Sequence, residues 1–87
     1  MHKPWFLYLV ECLDGSIYTG ITVDVAKRYA AHENGNGAKY MRSHPPKRIM
    51  QVFEFANRSE ASKAECAVKK LSAVQKRALQ SAKDLTF

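Results

Sequence analysis

Long apolar stretches are missing from this sequence. No run approaches the roughly 20 apolar residues that a membrane span requires, and the first residues lack the basic-then-apolar layout of a secretory leader. A cytoplasmic protein with no membrane association is therefore expected. Cysteine is scarce too: Cys12 and Cys66 stand far apart and match no metal-ligating spacing, so both are read as reduced thiols. Internal repeats, low-complexity tracts and long linkers are also absent. With 87 residues, the expectation is one small domain, residues 1–87, with a modest core.

What is present is a folding composition with an uneven charge. The apolar content of 46% lies in the globular range. Residues 1–38 hold three Lys/Arg against four Asp/Glu, net −1, whereas residues 39–87 hold eleven against four, net +7. A basic half on a small domain suits either a solvated face or a polyanionic partner, most often nucleic acid.

The stretch "WFLYLVECLDGSIYTGIT" predicts a β-hairpin over residues 5–22, two runs rich in aromatic and β-branched residues around Asp14-Gly15. Two turns are open. A two-residue Asp-Gly turn sets Val10 opposite Thr19 and puts Tyr8 and Tyr18 on opposite faces. A three-residue Leu13-Asp14-Gly15 loop, with Gly15 in the left-handed bulge position, sets Val10 opposite Tyr18 and Tyr8 opposite Gly20. That register aligns the tyrosines on one face and leaves Leu7, Leu9, Ile17 and Ile21 on the other, so the sheet is expected to be covered on both sides.

A helix follows over residues 23–34, with an apolar stripe of Val25, Ala26, Tyr29 and Ala30, ended by "NGNG". Arg28 and His32 share one edge of that stripe. "AKYMRSHPPKR" reads as a short turn or helix ended by Pro45-Pro46. Residues 48–55 read as a third strand, alternating Ile49, Gln51, Phe53 and Phe55 against Met50, Val52 and Glu54. Ser59 is the expected N-cap of a helix over residues 60–72, striped by Ala61, Ala64, Val68 and Leu71 with Glu65 at the stripe's edge. A last helix spans residues 74–82. The fold class is α+β: a small three-stranded sheet flanked by helices.

Four sets of residues carry possible chemistry. Glu65, beside a buried stripe, needs a cationic partner, a proton or a metal, because burying a lone charge is costly. An ion pair and a Mg²⁺ ligand are both open, and the lack of a second nearby carboxylate suits a single ion over two. Arg28 and His32 pair a permanent cation with a group whose unperturbed pKa lies near ~6.5. The four tyrosines are either core or site, and a phenol acts as a base only where positive charge lowers its pKa from about 10. Finally, Lys39, Tyr40, Arg42, His44, Lys47 and Arg48 set basic groups around an aromatic, a composition for phosphate contact and base stacking or for a solvated connector.

In order along the chain, Tyr8 closing "FLY", "YTG" at Tyr18 to Gly20, Arg28, His32 and Glu65 resemble the GIY-YIG nuclease domain. "DGSIYTGIT", "GAKYMR" and the paired prolines resemble its small bacterial YhbQ-like branch, related to the nuclease subunit of Slx-type resolvases. The resemblance implies a DNA endonuclease that needs Mg²⁺ or Mn²⁺, leaves 5′-phosphate and 3′-hydroxyl ends, and acts on branched, nicked or otherwise distorted substrates. RNA and a protein partner stay open. By position it makes Glu65 the metal ligand and Arg28 the neutraliser of the scissile phosphate, with Tyr8, Tyr18 and His32 lining the site and Tyr18 or His32 as the general base. Gly20, Lys39, Tyr40, Arg42, Lys47 and Arg48 are the expected nucleic-acid contacts, Gly20 by leaving space for substrate backbone or a neighbouring helix. The sequence departs from the pattern at Phe6-Leu7, Thr19 and Ile21, the last standing where excision-repair members carry a lysine that could depress the Tyr18 pKa. The competing reading is a non-catalytic nucleic-acid-binding module on the same fold.

Overall fold

The computed structural model describes residues 3–83, so the outermost residues of the expected domain lie outside it. Strands β1 (Trp5–Cys12), β2 (Ile17–Thr22) and β3 (Pro46–Phe55) form one antiparallel sheet in the order β2-β1-β3. Helices α1 (Val25–Glu33) and α2 (Lys39–Ser43) connect β2 to β3. Helices α3 (Arg58–Lys69) and α4 (Ala73–Ala78) follow, and a 3₁₀ turn over Leu79–Ser81 ends what was expected to be one continuous last helix. This is the expected α+β architecture. Among the described residues no helix is long and apolar enough to cross a membrane.

The hairpin takes the three-residue loop. Gly15 sits at φ 87°, its N–H donates to the Cys12 carbonyl at 3.0 Å, and Cys12 N–H donates to the Ser16 carbonyl at 2.8 Å. The Asp14 carboxylate accepts from the Ser16 N–H at 3.0 Å and its hydroxyl at 2.6 Å, which holds the loop. Tyr8 therefore faces Gly20 and Val10 faces Tyr18.

Because side chains alternate along β1, this register sorts the core into two layers. Leu7 and Leu9 pack with Ile17, Met50 and Phe53 against Ala64 and Val68 of α3. Tyr8, Val10 and Cys12 face the other way, against Met41 of α2, with Tyr18, Val25 and Tyr29 around them. Each fully buried Leu or Val contributes roughly 1.5–3 kcal/mol, so both layers matter to stability.

Four local expectations change. Strand β3 starts at Pro46, which an edge strand tolerates at its first residue. Its pairing with β1 shifts between Leu9 and Val10, and the extra residue brings Met50 into the layer of Phe53, which strict alternation places on the opposite face. Helix α3 is capped by Asn57, whose side chain accepts from the Glu60 N–H at 2.9 Å, in place of Ser59. Helix α1, capped by Asp24, is rotated off its apolar stripe: Ala26 and Ala30 are exposed, whereas Arg28 is half-buried and His32 is buried. That last difference creates the site.

Candidate functional site

Rotation of α1 brings a histidine and an arginine onto the tyrosine face of the hairpin. His32 is 1% exposed, and its Nε2 is hydrogen-bonded to the Tyr8 hydroxyl at 2.9 Å. The Tyr18 ring meets His32 edge-on at 5.3 Å between centroids and lies 6.0 Å from Tyr8. Gly20 explains how these rings fit: a Cβ there would stand 2.7 Å from the Tyr8 hydroxyl oxygen and 2.9 Å from Tyr18 Cε2. Gly20 is itself buried, and the space left by its missing side chain is taken up by the protein's own phenol. Gly37 plays the same part on the other side of His32, where a Cβ would overlap the imidazole at Nδ1. The "NGNG" run thus ends α1 and also makes room for its last buried side chain.

Electrostatics separate the two tyrosines. Burial, followed by the neighbouring Tyr18, pushes the Tyr8 phenol well above its ordinary value, and the smaller opposing effect of Arg28 does not reverse this. Tyr8 therefore does not meet the condition for a phenol to act as a base, and it stays protonated. His32 is pushed down, chiefly by burial and secondly by Arg28, so the imidazole is held neutral. Its Nδ1 is buried without a partner among the described residues. Neither ring nitrogen opens on solvent, whereas Tyr18 is only partly buried and lines a cleft.

Arg28 is half-buried beside this group and has no carboxylate partner among the described residues. Glu65 comes from α3, which packs on the opposite layer, and no hydrogen bond or ion pair joins it to Tyr8, Tyr18, Arg28 or His32 among the described residues. Its side chain is 22% exposed, and its carboxylate meets Lys69 Nζ at 3.5 Å. Pairs of this i,i+4 kind contribute only about 0.3–0.5 kcal/mol, so Lys69 is an easily displaced partner.

The basic segment divides. Tyr40 of α2 lies 5.7 Å from Tyr18 and stacks on His44 at 4.1 Å. His44 in turn pairs with Asp14 of the hairpin loop, so the loop fixes where Tyr40 stands. Lys39, Arg42 and Lys47 are exposed, with no ion pair among the described residues. Arg48 differs from expectation: its Nε donates to Glu11 at 2.8 Å, and Arg77 donates to the other oxygen of the same carboxylate at 2.9 Å. Arg48 is committed to tying β3 to β1, which makes it a structural cation before it is a phosphate contact.

Residues 4–78 match the GIY-YIG catalytic domain. The chain belongs to the GIY-YIG family. A relative from Cupriavidus necator, named a UPF0213 protein, is 57% identical over 76 residues, covering 87% of this chain and 83% of its own. The solution NMR structure of a UPF0213 protein from Bacillus halodurans is similar with a TM-score of 0.58 at 42% identity, covering 92% of this chain and 85% of that one. A second solution NMR structure, of a protein from E. faecalis, gives a TM-score of 0.62 at 40% identity, covering 90% and 85%.

This GIY-YIG domain gathers Tyr8, Tyr18, Arg28 and His32 into one group, and Glu65 reaches the neighbouring cleft through its partner Lys69, which lines that cleft together with Tyr18. No group of three or more His, Cys, Asp or Glu suited to a metal is found among the described residues. The donor that remains, one half-buried carboxylate with a weakly held partner, fits a hard cation that takes a single carboxylate and keeps its waters. Lys69 and Lys76, which line the cleft beside Tyr18, were not among the residues that sequence reasoning singled out. They sit in polar helices whose pattern carries no sign of what the turned-back chain sets next to them.

Proposed function

We propose that this chain is a divalent-metal-dependent endonuclease that hydrolyses DNA phosphodiesters to 5′-phosphate and 3′-hydroxyl ends, choosing substrates by structure rather than by sequence. The observation that carries this reading is Arg28: a half-buried guanidinium without a carboxylate partner among the described residues, set beside the Tyr8 phenol and a neutral imidazole. A cation left partly desolvated in this way gains most when an anion completes it. A phosphate beside Arg28 would share its charge, and the interaction strengthens as negative charge grows toward a pentavalent phosphate.

Division of labour follows from exposure. Tyr18, on the cleft, is the group placed to orient or deprotonate the attacking water, and His32 is the positioning residue that holds Tyr8 through its Nε2. Protonated Tyr8 supports Tyr18 from behind without taking a proton itself. Glu65 would hold Mg²⁺ or Mn²⁺, which when bound supplies charge stabilisation to the phosphate. Exposed Lys39, Arg42, Lys47 and Tyr40 extend the contact along the strand. The sequence runs "DGSIYTGIT" and "GAKYMR" support placement in the YhbQ-like branch.

The test is incubation of purified protein with single-stranded, duplex, nicked, flap and four-way-junction DNA and with RNA, each with Mg²⁺, Mn²⁺ or EDTA. Metal-dependent cutting that Glu65→Ala abolishes is expected, with nicked or branched DNA cut fastest. Binding of every substrate without cutting, or Glu65→Ala cutting as well as the wild type, would instead mark a binding module.

A further inference from the structure

A cleft of about 330 Å³ opens along the free edge of β2, lined by Ile17, Tyr18, Thr19, Tyr40, Lys69 and Lys76. Its two amines come from different helices, Lys69 from the end of α3 and Lys76 from α4. Glu65 balances the charge of Lys69. Lys76 has no carboxylate partner among the described residues; its Nζ reaches only the Ile17 carbonyl, at a long 3.5 Å. Burial, and then the charge of Lys69, lower its pKa. Holding an ammonium partly out of water beside another ammonium weakens the free protein. The arrangement makes sense where an anion supplies the missing charge. The floor adds Thr19, 3% exposed, whose hydroxyl has no hydrogen-bond partner among the described residues.

We propose that this cleft is a second phosphate subsite, in which Lys76 and Lys69 take a backbone phosphate of the nucleic-acid strand next to the phosphate held at Arg28 and Tyr18. The neighbouring position rests on the nuclease reading above; phosphate binding in the cleft does not. Tyr18 lines the cleft and also packs on His32, so one strand running along the β2 edge meets both places. The second phosphate would fix the register of the strand over Tyr18, a positioning task that a single arginine cannot perform alone.

The experiment is fluorescence anisotropy of a labelled duplex in EDTA, where nothing can be cut, over a series of salt concentrations. Wild type is compared with Lys76→Met, Lys69→Gln, the double variant, Lys76→Arg and the exposed α3 control Lys63→Gln. Losing one phosphate contact should reduce the slope of log affinity against log salt by about 0.9. Lys76→Met and the double variant should show that reduction, while Lys76→Arg and Lys63→Gln keep the wild-type slope. An unchanged slope in Lys76→Met and the double variant overturns the proposal, as does an equal reduction in Lys63→Gln or a wild type that does not bind. As a check that needs no variant to fold, wild type is titrated with inorganic phosphate. Saturable shifts of the Tyr18 and Thr19 amide resonances are expected, and their absence counts against the subsite. If these results hold while no substrate is cut, the nuclease reading fails and the subsite stands; if cutting occurs with unchanged slopes, only the subsite fails.

Discussion

At the scale of residues, two positions without side chains organise the candidate site. Gly20 and Gly37 provide the room in which Tyr8 and His32 meet. Gly20→Ala puts a methyl group against the Tyr8 hydroxyl and the edge of Tyr18, and overpacking of this kind costs about 1–3 kcal/mol. Its Tm should fall, and the His32 side-chain resonances should shift as the Tyr8 hydrogen bond is lost. An alanine variant with unchanged stability and spectrum would show that Tyr8 is not confined there. The sequence made the tyrosine alignment legible, because Gly15 after Asp14 admits a three-residue loop. It did not show that Gly20 serves Tyr8, since a glycine in a strand looks the same whether ligand or protein fills the gap. His32 provides a second prediction at this scale. Its folded pKa is depressed, so as pH falls through the unfolded value near 6.5 the unfolded chain takes up a proton that the native chain refuses. The contribution of neutral His32 is present above that value and is lost below it until the folded pKa is reached. Wild-type stability from chemical denaturation should therefore decline between pH 7 and 5 more steeply than that of His32→Gln. Parallel curves would contradict a buried neutral imidazole.

At the scale of elements, packing overrides pattern where a polar residue has work at the site. The stripe of Val25, Ala26, Tyr29 and Ala30 predicted one buried face for α1, yet the helix turns Arg28 and His32 inward and leaves both alanines exposed. A small alanine loses little by exposure, whereas His32 gains a hydrogen bond and a fitted cavity. The β3 bulge at Met50 is of the same kind: the alternating pattern was legible, but the extra residue answers to the partner strand. Elsewhere local pattern was enough, as in α3, where Ala61, Ala64 and Val68 are buried as their spacing requires. Glu11 joins three elements by accepting from Arg48 on β3 and Arg77 on α4. Hydrogen bonds from these two guanidiniums hold its carboxyl below the usual 4.5. Stability from this contact is thus present above about pH 4.5 and is lost as pH falls through the lowered folded value. Glu11→Gln should lower Tm at pH 7, and the gap from wild type should close as the pH drops below 4. A gap that stays constant with pH would mean that the charge of Glu11 is not what holds the elements together.

At the scale of the whole molecule, the sheet divides a layer packed on α3 from one that carries the tyrosines and His32. Leu7, Leu9, Met50 and Phe53 pack α3 on one side, while Tyr8, Tyr18, Arg28 and His32 meet on the other. The net charge of +7 over residues 39–87 pointed to a polyanion, but two of its arginines, Arg48 and Arg77, are bound to Glu11. Composition counts charges and cannot tell a bound arginine from a free one, which is why Lys69 and Lys76 were overlooked while Arg48 was not. The GIY-YIG scaffold, a guanidinium without a carboxylate partner among the described residues and Tyr18 on its cleft support the proposal that this layer cleaves phosphodiesters, with Tyr18 acting on the reacting water. The most direct measurement is single-turnover cleavage by Tyr18→Phe and wild type on one nicked or branched DNA with Mg²⁺, alongside the Kd for the same DNA in EDTA. Loss of a general base lowers a rate by on the order of 10²–10⁴-fold, so the rate should fall at least about a hundredfold while Kd stays within about twofold. Equal losses of rate and affinity would reduce Tyr18 to a packing residue, and no cutting by wild type would contradict the claim outright.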